Sequence, residues 1–309
     1  MKYAIIIPVR NGGEIWKECV EAIKTQKKLT PYIYIINSNS SDDTIDIASK
    51  LTKEIISINE SDFNHGGTRN FGVTLIEDLV DIIIFLTQDA ILCSNTSIED
   101  IISSFSDPDV FAAYGRQLPH KDANPIARHA RNFSYGTKSF ISSLEQKKTL
   151  GLKTVFLSNS FAAYRVSKFK ELSGFPENTI LCEDMFLASK GVLAGYKIAY
   201  VANSTVFHSH NYSPIDEFNR YFDIGVFHHN ENWIRQTFGG AGGEGKKFII
   251  SELKYLLINA PLWIPRAIVT NLFKIIGYKL GCSNNLIPFF LKKRISMHKA
   301  YWKKNHTDY

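Results

Sequence analysis

The N-terminal third of the chain alternates between short apolar segments and polar turns that lead into helical patterns. The apolar segments are rich in isoleucine, as buried strands often are. They lie at residues 4–9, 32–36, 55–58 and 82–89. Apolar residues at helical spacing follow the first segment, at Ile15, Cys19 and Ile23. Strands that alternate with helices in this way predict a Rossmann-like α/β fold, with a mostly parallel sheet flanked by helices.

The composition is that of a folded protein, and the net charge indicates which kinds of partner the protein binds. The chain has 309 residues, of which 44% are hydrophobic and 21% charged, and its formal net charge is +6. An excess of positive charge favours anionic partners such as phosphates or an anionic membrane surface. The first 240 residues contain no dense run of lysine and arginine. We therefore do not expect nucleic acid as a partner.

The cysteines and the N-terminus indicate a cytoplasmic protein. Cys19, Cys93, Cys182 and Cys282 are far apart and show no zinc-site spacing, which is typical of thiols in a reducing compartment. The chain runs from its first residues directly into an apolar strand, without the regions of a signal peptide. We therefore expect the catalytic part to lie in the cytoplasm.

A polar segment before the fourth strand and an acid at the end of that strand suggest a binding site. The segment Asp62–Asn70 contains adjacent glycines, which let a backbone approach a ligand closely, and its Arg69 suits a phosphate. Asp89 ends the apolar run, and ligands of open α/β sheets bind at the carboxyl ends of strands. Together the two features predict a site for a nucleotide diphosphate and a divalent cation. Taken singly, they are better explained by a glycine turn and a helix-capping aspartate.

Two further acidic positions extend the candidate chemistry. Asp42 lies in a loop rich in helix-capping residues, and Glu183 and Asp184 begin a predicted helix. Sugar transfer from a nucleotide sugar needs a base for the acceptor hydroxyl and positive charge at the leaving diphosphate. Asp89 suits a hard cation such as Mg²⁺ or Mn²⁺, and Asp184 suits the base if burial opposes the helix dipole. For Glu183 and Asp184, helix capping is the alternative.

The chain changes character towards its C-terminus. A run of glycines at residues 239–247 predicts a flexible hinge between a domain of residues 1–238 and an apolar, basic helical region of residues 248–309. The window 255–273 is apolar, but its two prolines and its arginine disfavour a membrane span. We expect amphipathic helices that lie on the inner membrane surface, with basic residues against anionic lipid. A helical appendage that packs on the core or on another subunit is the alternative.

Taken in order, these motifs resemble glycosyltransferase family 2, whose members have the GT-A fold. The resemblance rests on residues 4–11, 37–42, 87–90 and 183–184 and spans residues 3 to about 235. Three further stretches resemble the bacterial rhamnosyltransferase branch of the family. They are residues 63–70, residues 114–119, and residues 208–213 with 220–225.

The resemblance implies a set of residues that bind the donor. They are Pro8, Val9, Arg10, Asn11, Asn37, Ser38, Arg69, Gln88, Arg116, Gln117 and Glu183. The first four are expected to line the nucleotide pocket, and the next two to contact the base and ribose. The family usually has an aspartate where this chain has Asn37, whose amide can still hydrogen-bond a base edge. Arg69 is expected near the diphosphate, and Arg116 and Gln117 near the donor sugar or the metal.

The resemblance also implies a metal site and a catalytic base. Residues 88–90 occupy the place of the family's Asp-X-Asp metal motif, here with a single carboxylate at Asp89. His208 or His210 is expected to supply a second ligand, and an ordinary polar contact in a loop is the alternative for each. Asp184 matches the position of the catalytic base.

The function implied is that of an inverting, metal-dependent glycosyltransferase. The resemblance favours rhamnose as the sugar, dTDP-L-rhamnose as the donor and a lipid-linked saccharide as the acceptor. This reaction belongs to the assembly of a bacterial surface polysaccharide such as O-antigen, on the cytoplasmic face of the inner membrane. Three alternatives remain: a UDP- or GDP-sugar donor, a non-catalytic protein that binds nucleotide sugars, and, ranked last, a nucleotidyltransferase. A homo-oligomer is also compatible with the sequence.

Overall fold

The computed structural model describes residues 1–240 and 242–304 and shows the predicted α/β architecture. The strands are β1 (Tyr3–Val9), β2 (Ile33–Asn37), β3 (Ile55–Ser57), β4 (Ile82–Leu86), β5 (Ile91–Leu92), β6 (Val110–Leu118), β7 (Phe140–Ser142), β8 (Phe161–Arg165) and β9 (Lys197–Phe207). The helices are α1 (Gly13–Lys24), α2 (Thr44–Ser49), α3 (His65–Thr74), α4 (Ser97–Ser103), α5 (Pro125–Ser134), α6 (Lys147–Leu150), α7 (Val166–Glu171), α8 (Glu183–Leu193), α9 (Pro214–Asn230), α10 (Asn232–Phe238), α11 (Gly242–Asn259), α12 (Ile264–Cys282), α13 (Phe289–Ile295) and α14 (Lys299–Lys304).

The strands form one mixed sheet, in the order β3-β2-β1-β4-β8-β6-β9-β5, and β7 also pairs with β9. The first four strands of that order are parallel, as the sequence predicts. β8 then runs antiparallel to both β4 and β6, and β5 and β7 run antiparallel to β9. The prediction of a mostly parallel sheet therefore holds for the N-terminal half. An apolar run indicates that a strand is buried but not which way it points, so the sequence does not predict the reversal at β8.

The described residues divide into two compact units. The first consists of residues 1–118, 135–177 and 183–208, and the second of residues 119–134, 178–182 and the described residues from 209 onward. The whole sheet lies in the first unit, and the second unit is helical. This division differs from the predicted boundary at residues 239–247. From Gly242 onward the predicted hinge is the first part of helix α11, in which the glycines are followed by the helix-forming residues of 246–259.

The region that follows is helical, as the sequence predicts, and it contains α11 to α14. Residues 305–309, which the predicted C-terminal region includes, lie outside the described residues. Among the helices of the described part, none combines the length and the apolar character that crossing a bilayer requires.

The core of the first unit fixes the polar turns at the ends of its strands. Every residue of β4 is buried, and α1 packs Trp16, Cys19 and Ile23 against the sheet with no exposed surface. Burying one large aliphatic or aromatic side chain stabilises a fold by about 1.5–3 kcal/mol. The packed core therefore determines where β1, β2 and β4 end and where the polar residues that follow them begin.

In the second unit, α12 packs against α9 through glycines. A Cβ atom added to Gly281 would lie 2.0 Å from the carbonyl oxygen of Phe222, and one added to Gly277 would lie 2.4 Å from that of Phe218. At Gly225 of α9, an added Cβ would lie 2.3 Å from the carbonyl oxygen of Tyr278. The two helix backbones are therefore in direct contact, which larger residues would prevent.

Candidate active site

The segment Asp62–Asn70 is not the open loop that the sequence predicts. Asn64 Oδ1 accepts hydrogen bonds from the backbone N–H groups of Gly66 and Gly67, at 3.0 and 2.8 Å, and so caps α3. A Cβ atom added to Gly66 would lie 2.0 Å from the carbonyl oxygen of Pro176. The absence of a side chain at Gly66 therefore allows α3 to pack closely on another part of the backbone.

Arg69 is a buried residue of α3 with partners inside the protein. It is 5% exposed, and its Nη1 donates to the carbonyl oxygen of His65 at 2.8 Å. The same atom lies 3.3 Å from Glu183 Oε1. Arg69 thus neutralises and holds the Glu183 carboxylate. Its contact with a diphosphate stays a prediction.

The two acids at the start of α8 have different surroundings. Successive side chains on a helix point about 100° apart, so neighbouring residues face different ways. Glu183 is buried against Arg69, whereas Asp184 keeps part of its surface exposed. Asn159 contacts both acids: its Nδ2 donates to Glu183 Oε1 at 2.9 Å, and its backbone N–H donates to Asp184 Oδ2 at 3.1 Å.

These surroundings move the pKa values of the two acids in opposite directions. Burial acts to raise the pKa of Glu183, but the charges of Arg69 and His65 and the hydrogen bond from Asn159 outweigh burial and lower it. Burial and the neighbouring Glu183 charge raise the pKa of Asp184 to about 7. When two carboxyl groups differ in this way, one stays ionised while the other exchanges a proton near neutral pH. Asp184 therefore has the proton affinity that a general base needs.

Asp89 and His208 face each other at the ends of two strands. Asp89 lies in the turn after β4, and His208 directly follows β9. Asp89 Oδ2 and His208 Nε2 are 3.5 Å apart. Two ligands that each lie about 2.0–2.2 Å from one cation are separated by about 3.0 Å at a right angle and about 3.5 Å at the tetrahedral angle. The observed separation suits a shared cation, and an ion pair between aspartate and imidazolium is the alternative.

Gln117 orients the His208 ring. Its Nε2 donates to Ser158 Oγ at 3.0 Å, so its Oε1 faces His208 Nδ1, also at 3.0 Å. The amide oxygen can only accept, which places the proton of a neutral imidazole on Nδ1. The lone pair of His208 Nε2 then points towards Asp89. A hydrogen bond from the second ring nitrogen to a carbonyl group is the usual support of a histidine that binds metal.

Gln88 joins the turn that carries Asp89 to the end of β1. Its Oε1 accepts from the backbone N–H of Arg10 at 2.7 Å, and its Nε2 donates to the carbonyl oxygen of Arg10 at 2.9 Å. The Arg10 guanidinium forms a surface ion pair with Glu60 at 2.7 Å. Gln88 therefore fixes the turn in place, and its predicted contact with the donor stays a prediction.

Two asparagine side chains hold the loop after β2: Asn11 joins it to the loop after β1, and Asn37 joins its start to β3. Asn11 has a φ of 44°, a left-handed conformation that asparagine tolerates, and its Oδ1 accepts from the backbone N–H of Ser41 at 2.9 Å. Asn37 is buried; its Oδ1 accepts from the N–H of Ser40 at 3.1 Å, and its Nδ2 donates to Ser57 Oγ at 3.2 Å. These bonds use one of the two N–H groups of the Asn37 amide, and its contact with a nucleotide base stays a prediction.

The remaining predicted donor residues lie at the ends of β1, β2 and β6. Pro8 is partly exposed and Val9 is buried, both within β1. Ser38 Oγ is buried and, among the residues that the structure describes, has no hydrogen-bond partner. Arg116 Nε donates to the carbonyl oxygen of Tyr135 at 3.3 Å.

His210 belongs to the second unit, two residues after His208. Its ring packs near Tyr212, with 5.0 Å between the ring centroids.

The short segment Ser158-Asn159-Ser160, which the sequence reasoning missed, links the two parts of the site. The carbonyl oxygen of Ser160 accepts from the backbone N–H of Thr87 at 3.2 Å, next to the turn of Asp89. Ser158 holds Gln117, and Asn159 holds both acids of α8. The available signal was a run of polar residues directly before a buried strand, whereas Asp89 and His208 follow their strands.

A sheet of this topology, with an acid after β4 and a pair of acids at the start of α8, is the arrangement of a GT-A glycosyltransferase. The chain belongs to Glycosyl transferase family 2, whose family model matches residues 4–173. The family membership inferred from the motifs is therefore confirmed, and the protein is a glycosyltransferase.

Two relatives match almost end to end. The O-antigen chain rhamnosyltransferase RfbN of Salmonella typhimurium is 54% identical, with 100% of this chain and 98% of the relative covered. The O-antigen chain rhamnosyltransferase WbaN of Salmonella anatum is 53% identical, with 99% and 97% covered.

Solved structures of more distant enzymes share the fold. The mannosyltransferase PcManGT from Pyrobaculum calidifontis, in complex with GDP-Man and Mn²⁺, superposes with a TM-score of 0.56 at 16% identity, covering 98% of this chain and 85% of its own. S. aureus TarS 1-349 in complex with UDP-GlcNAc gives 0.52 at 15% identity, covering 99% and 89%. At such identities the likeness establishes the fold.

Proposed function

We propose that the protein transfers L-rhamnose from dTDP-L-rhamnose to a lipid-linked saccharide, with inversion, during O-antigen assembly at the cytoplasmic face of the inner membrane. Two relatives that are more than half identical over the whole chain are named O-antigen chain rhamnosyltransferases. The observation that carries the chemistry is the Glu183–Asp184 pair, in which one acid is held ionised and the other has a pKa of about 7.

Asp184 is the general base of this reaction. Its ionised carboxylate takes the proton of the acceptor hydroxyl as that oxygen attacks the anomeric carbon from the face opposite the diphosphate. The backbone N–H groups of Asn159 and Met185 hold the two carboxylate oxygens, at 3.1 and 2.7 Å. The side chain therefore meets the acceptor in one orientation, which lowers the entropic cost of the reaction.

Asp89, His208 and His210 are the proposed ligands of a divalent cation, Mg²⁺ or Mn²⁺. The fit rests on the 3.5 Å between Asp89 Oδ2 and His208 Nε2 and on the tautomer that Gln117 imposes. His210 follows His208 closely enough in the chain to reach the same ion. One carboxylate and imidazole nitrogen suit Mn²⁺ better than Mg²⁺. When bound, such a cation supplies positive charge to the leaving diphosphate.

The donor pocket is proposed at the ends of β1 and β2. Pro8, Val9, Arg10 and Asn11 line it, and the buried Ser38 hydroxyl is a candidate partner of the nucleoside because a ligand would satisfy its hydrogen bonding. Arg69 and Glu183 form an ion pair next to Asp184, and the charge of Glu183 helps to raise the pKa of Asp184.

The proposal is tested by nucleotide release from purified protein with Mn²⁺ or Mg²⁺, a lipid-linked saccharide and dTDP-rhamnose, with UDP- and GDP-sugars in parallel. We expect dTDP release that requires both acceptor and metal. Release of UDP or GDP from its sugar donor, and no release of dTDP, would show that the donor is not dTDP-rhamnose, while the proposed fold and mechanism would stand.

Variants at the two acidic centres separate the proposed roles. Asp184→Asn is expected to keep donor binding and to lose about 10²–10⁴-fold in transfer. Asp89→Ala is expected to weaken metal-dependent donor binding. Asp78→Asn, at a side chain that is 92% exposed, is the matched control and retains full activity. Normal transfer by Asp184→Asn would remove Asp184 as the base.

A further inference from the structure

Helix α12 buries three polar residues, Thr270, Asn271 and Lys274, and exposes a row of large apolar ones. Its buried side is formed by Ala267, Thr270, Asn271, Lys274, Gly277 and Gly281. Its exposed side carries six large aliphatic residues, each between 38% and 52% exposed, which we call the outward face of α12: Ile268, Val269, Leu272, Ile275, Ile276 and Leu280. In water the opposite arrangement is expected, so this face indicates a non-aqueous partner.

The polar residues on the buried side have specific partners in the second unit. Lys274 Nζ lies 3.2 Å from Glu217 Oε1, and Asn271 Nδ2 donates to Glu252 Oε2. Together with the glycine contacts to α9, these bonds fix which side of α12 faces inward. The helix therefore has no means of turning its apolar side into the protein.

The six residues occupy one side of the helix. They recur at intervals of three and four, so their side chains fall within an arc of about 140°. The chain that leads into α12 continues the pattern. It exposes Leu257, Ile258 and Leu262, which are 63%, 83% and 92% exposed. The apolar surface thus extends beyond the helix itself.

The exposed charges of the chain segment that carries this surface are of one sign. Between residues 246 and 303 the sequence contains a single acid, Glu252, and that residue is 1% exposed. The exposed cations in the same range are Lys246, Lys247, Lys254, Arg266, Lys279, Arg294, Lys299 and Lys303. Anionic lipid headgroups complement such a surface. A second copy of the chain would bring like charges together.

We propose that the outward face of α12 docks into the interface of an anionic lipid bilayer and lies in the plane of the membrane. The aliphatic side chains enter the region between headgroups and acyl chains, and Arg266 and Lys279, on the same helix, contact the lipid phosphates. This inference deepens the proposed function, since it names the surface that brings the enzyme to a lipid-linked acceptor.

The test is sedimentation of the full-length protein with vesicles of phosphatidylcholine alone or with about one third phosphatidylglycerol. Two exposed cations on one helix lead us to expect at least about tenfold stronger partitioning to the anionic vesicles. Equal binding to both vesicle types, or binding to neither, would overturn the proposal.

Variants locate the binding surface. Leu272→Ser/Ile276→Ser is expected to lower partitioning about tenfold or more. Arg266→Gln/Lys279→Gln is expected to reduce the preference for anionic vesicles by about tenfold or more, because two of the exposed cations are removed. Ile45→Ser, at a residue of α2 that is 38% exposed, is the matched control and binds as the wild type does. All variants remove exposed groups, so an unchanged melting temperature verifies folding. Wild-type binding by Leu272→Ser/Ile276→Ser would show that another surface docks.

Light scattering measures the oligomeric state and so tests whether a second copy of the chain, instead of lipid, covers the outward face of α12. A wild-type dimer that becomes monomeric in Leu272→Ser/Ile276→Ser, with no vesicle binding, would assign the face to a second copy and overturn the lipid assignment. The vesicle assay uses no substrate, so it is independent of rhamnose transfer. Transfer to a detergent-solubilised acceptor is expected to stay at the wild-type level in the same variant. If neither the wild type nor this variant transferred rhamnose, while the wild type still bound anionic vesicles, the proposed function would be wrong and the docking proposal would stand.

Discussion

Replacing Asn159 with alanine tests whether this side chain organises the active site. The substitution removes the 2.9 Å bond to Glu183 and the 2.8 Å bond that Asn159 Oδ1 accepts from Tyr164 Oη. A hydrogen bond to an ionised group contributes about 1.5–3 kcal/mol and a neutral one about 0.5–1.5 kcal/mol. Tyr164 is fully buried, so its hydroxyl is left without its acceptor. We expect the free energy of unfolding to fall by about 2–5 kcal/mol.

Urea denaturation measures this loss, provided that the m-value is unchanged. Asn59→Ala is the matched control, because Asn59 Nδ2 also donates to a carboxylate, that of Asp62 at 3.0 Å, but on the surface. Its loss is expected below about 1 kcal/mol. Tyr164→Phe removes one of the two bonds and separates their contributions. Equal losses for Asn159→Ala and Asn59→Ala would refute the reasoning that burial makes the Asn159 bonds strong.

Three further predictions concern the base, the metal and the helix pair. Because transfer needs ionised Asp184, whose pKa is about 7, kcat/KM is expected to fall about tenfold per unit as the pH drops below that value; a profile flat down to pH 5, measured by nucleotide release, would exclude this base. Gln117→Leu removes the acceptor of His208 Nδ1 and is expected to weaken Mn²⁺ binding about 10–100-fold in calorimetry, whereas unchanged affinity would show that Gln117 does not support a ligand. Gly281→Val forces side-chain atoms onto the carbonyl oxygen of Phe222 and is expected to cost more than about 3 kcal/mol in urea denaturation; Gly243→Ala has open space, is expected to be neutral or stabilising, and serves as its control.

The sequence was sufficient to predict the N-terminal half of the sheet and the acid, Asp89, that follows its fourth strand. β1, β2 and β4 follow the apolar runs closely, because largely buried strands have a distinctly apolar composition. β3 also follows its apolar run, although its residues are only partly buried. His208 was predicted as one of two candidate metal ligands beside Asp89. Its Nε2 lies 3.5 Å from Asp89 Oδ2, and the binding of a metal by these residues stays a prediction.

The features that the sequence did not predict depend on tertiary contacts. Adjacent glycines at the start of α3 suggest a loop, but the Asn64 cap and the backbone at Pro176 stabilise a helix there. Asp42 was considered for chemistry, yet its Oδ1 accepts from the N–H and the hydroxyl of Thr44 and holds a turn. Asn159 is separated from the acids of α8 by more than twenty residues, and no local pattern indicates that partnership.

The glycine contact between α9 and α12 limits how this helix can change over generations. At Gly277 and Gly281 even one added carbon meets a carbonyl oxygen, so neither glycine can be replaced without displacing the helix. On the opposite side of the same helix, any aliphatic residue keeps the surface character. The two glycines on the inner side of α12 are therefore expected to be invariant, while its outer residues exchange among isoleucine, leucine and valine. A saturation library selected for folded protein would divide its tolerated substitutions between the two sides in that way.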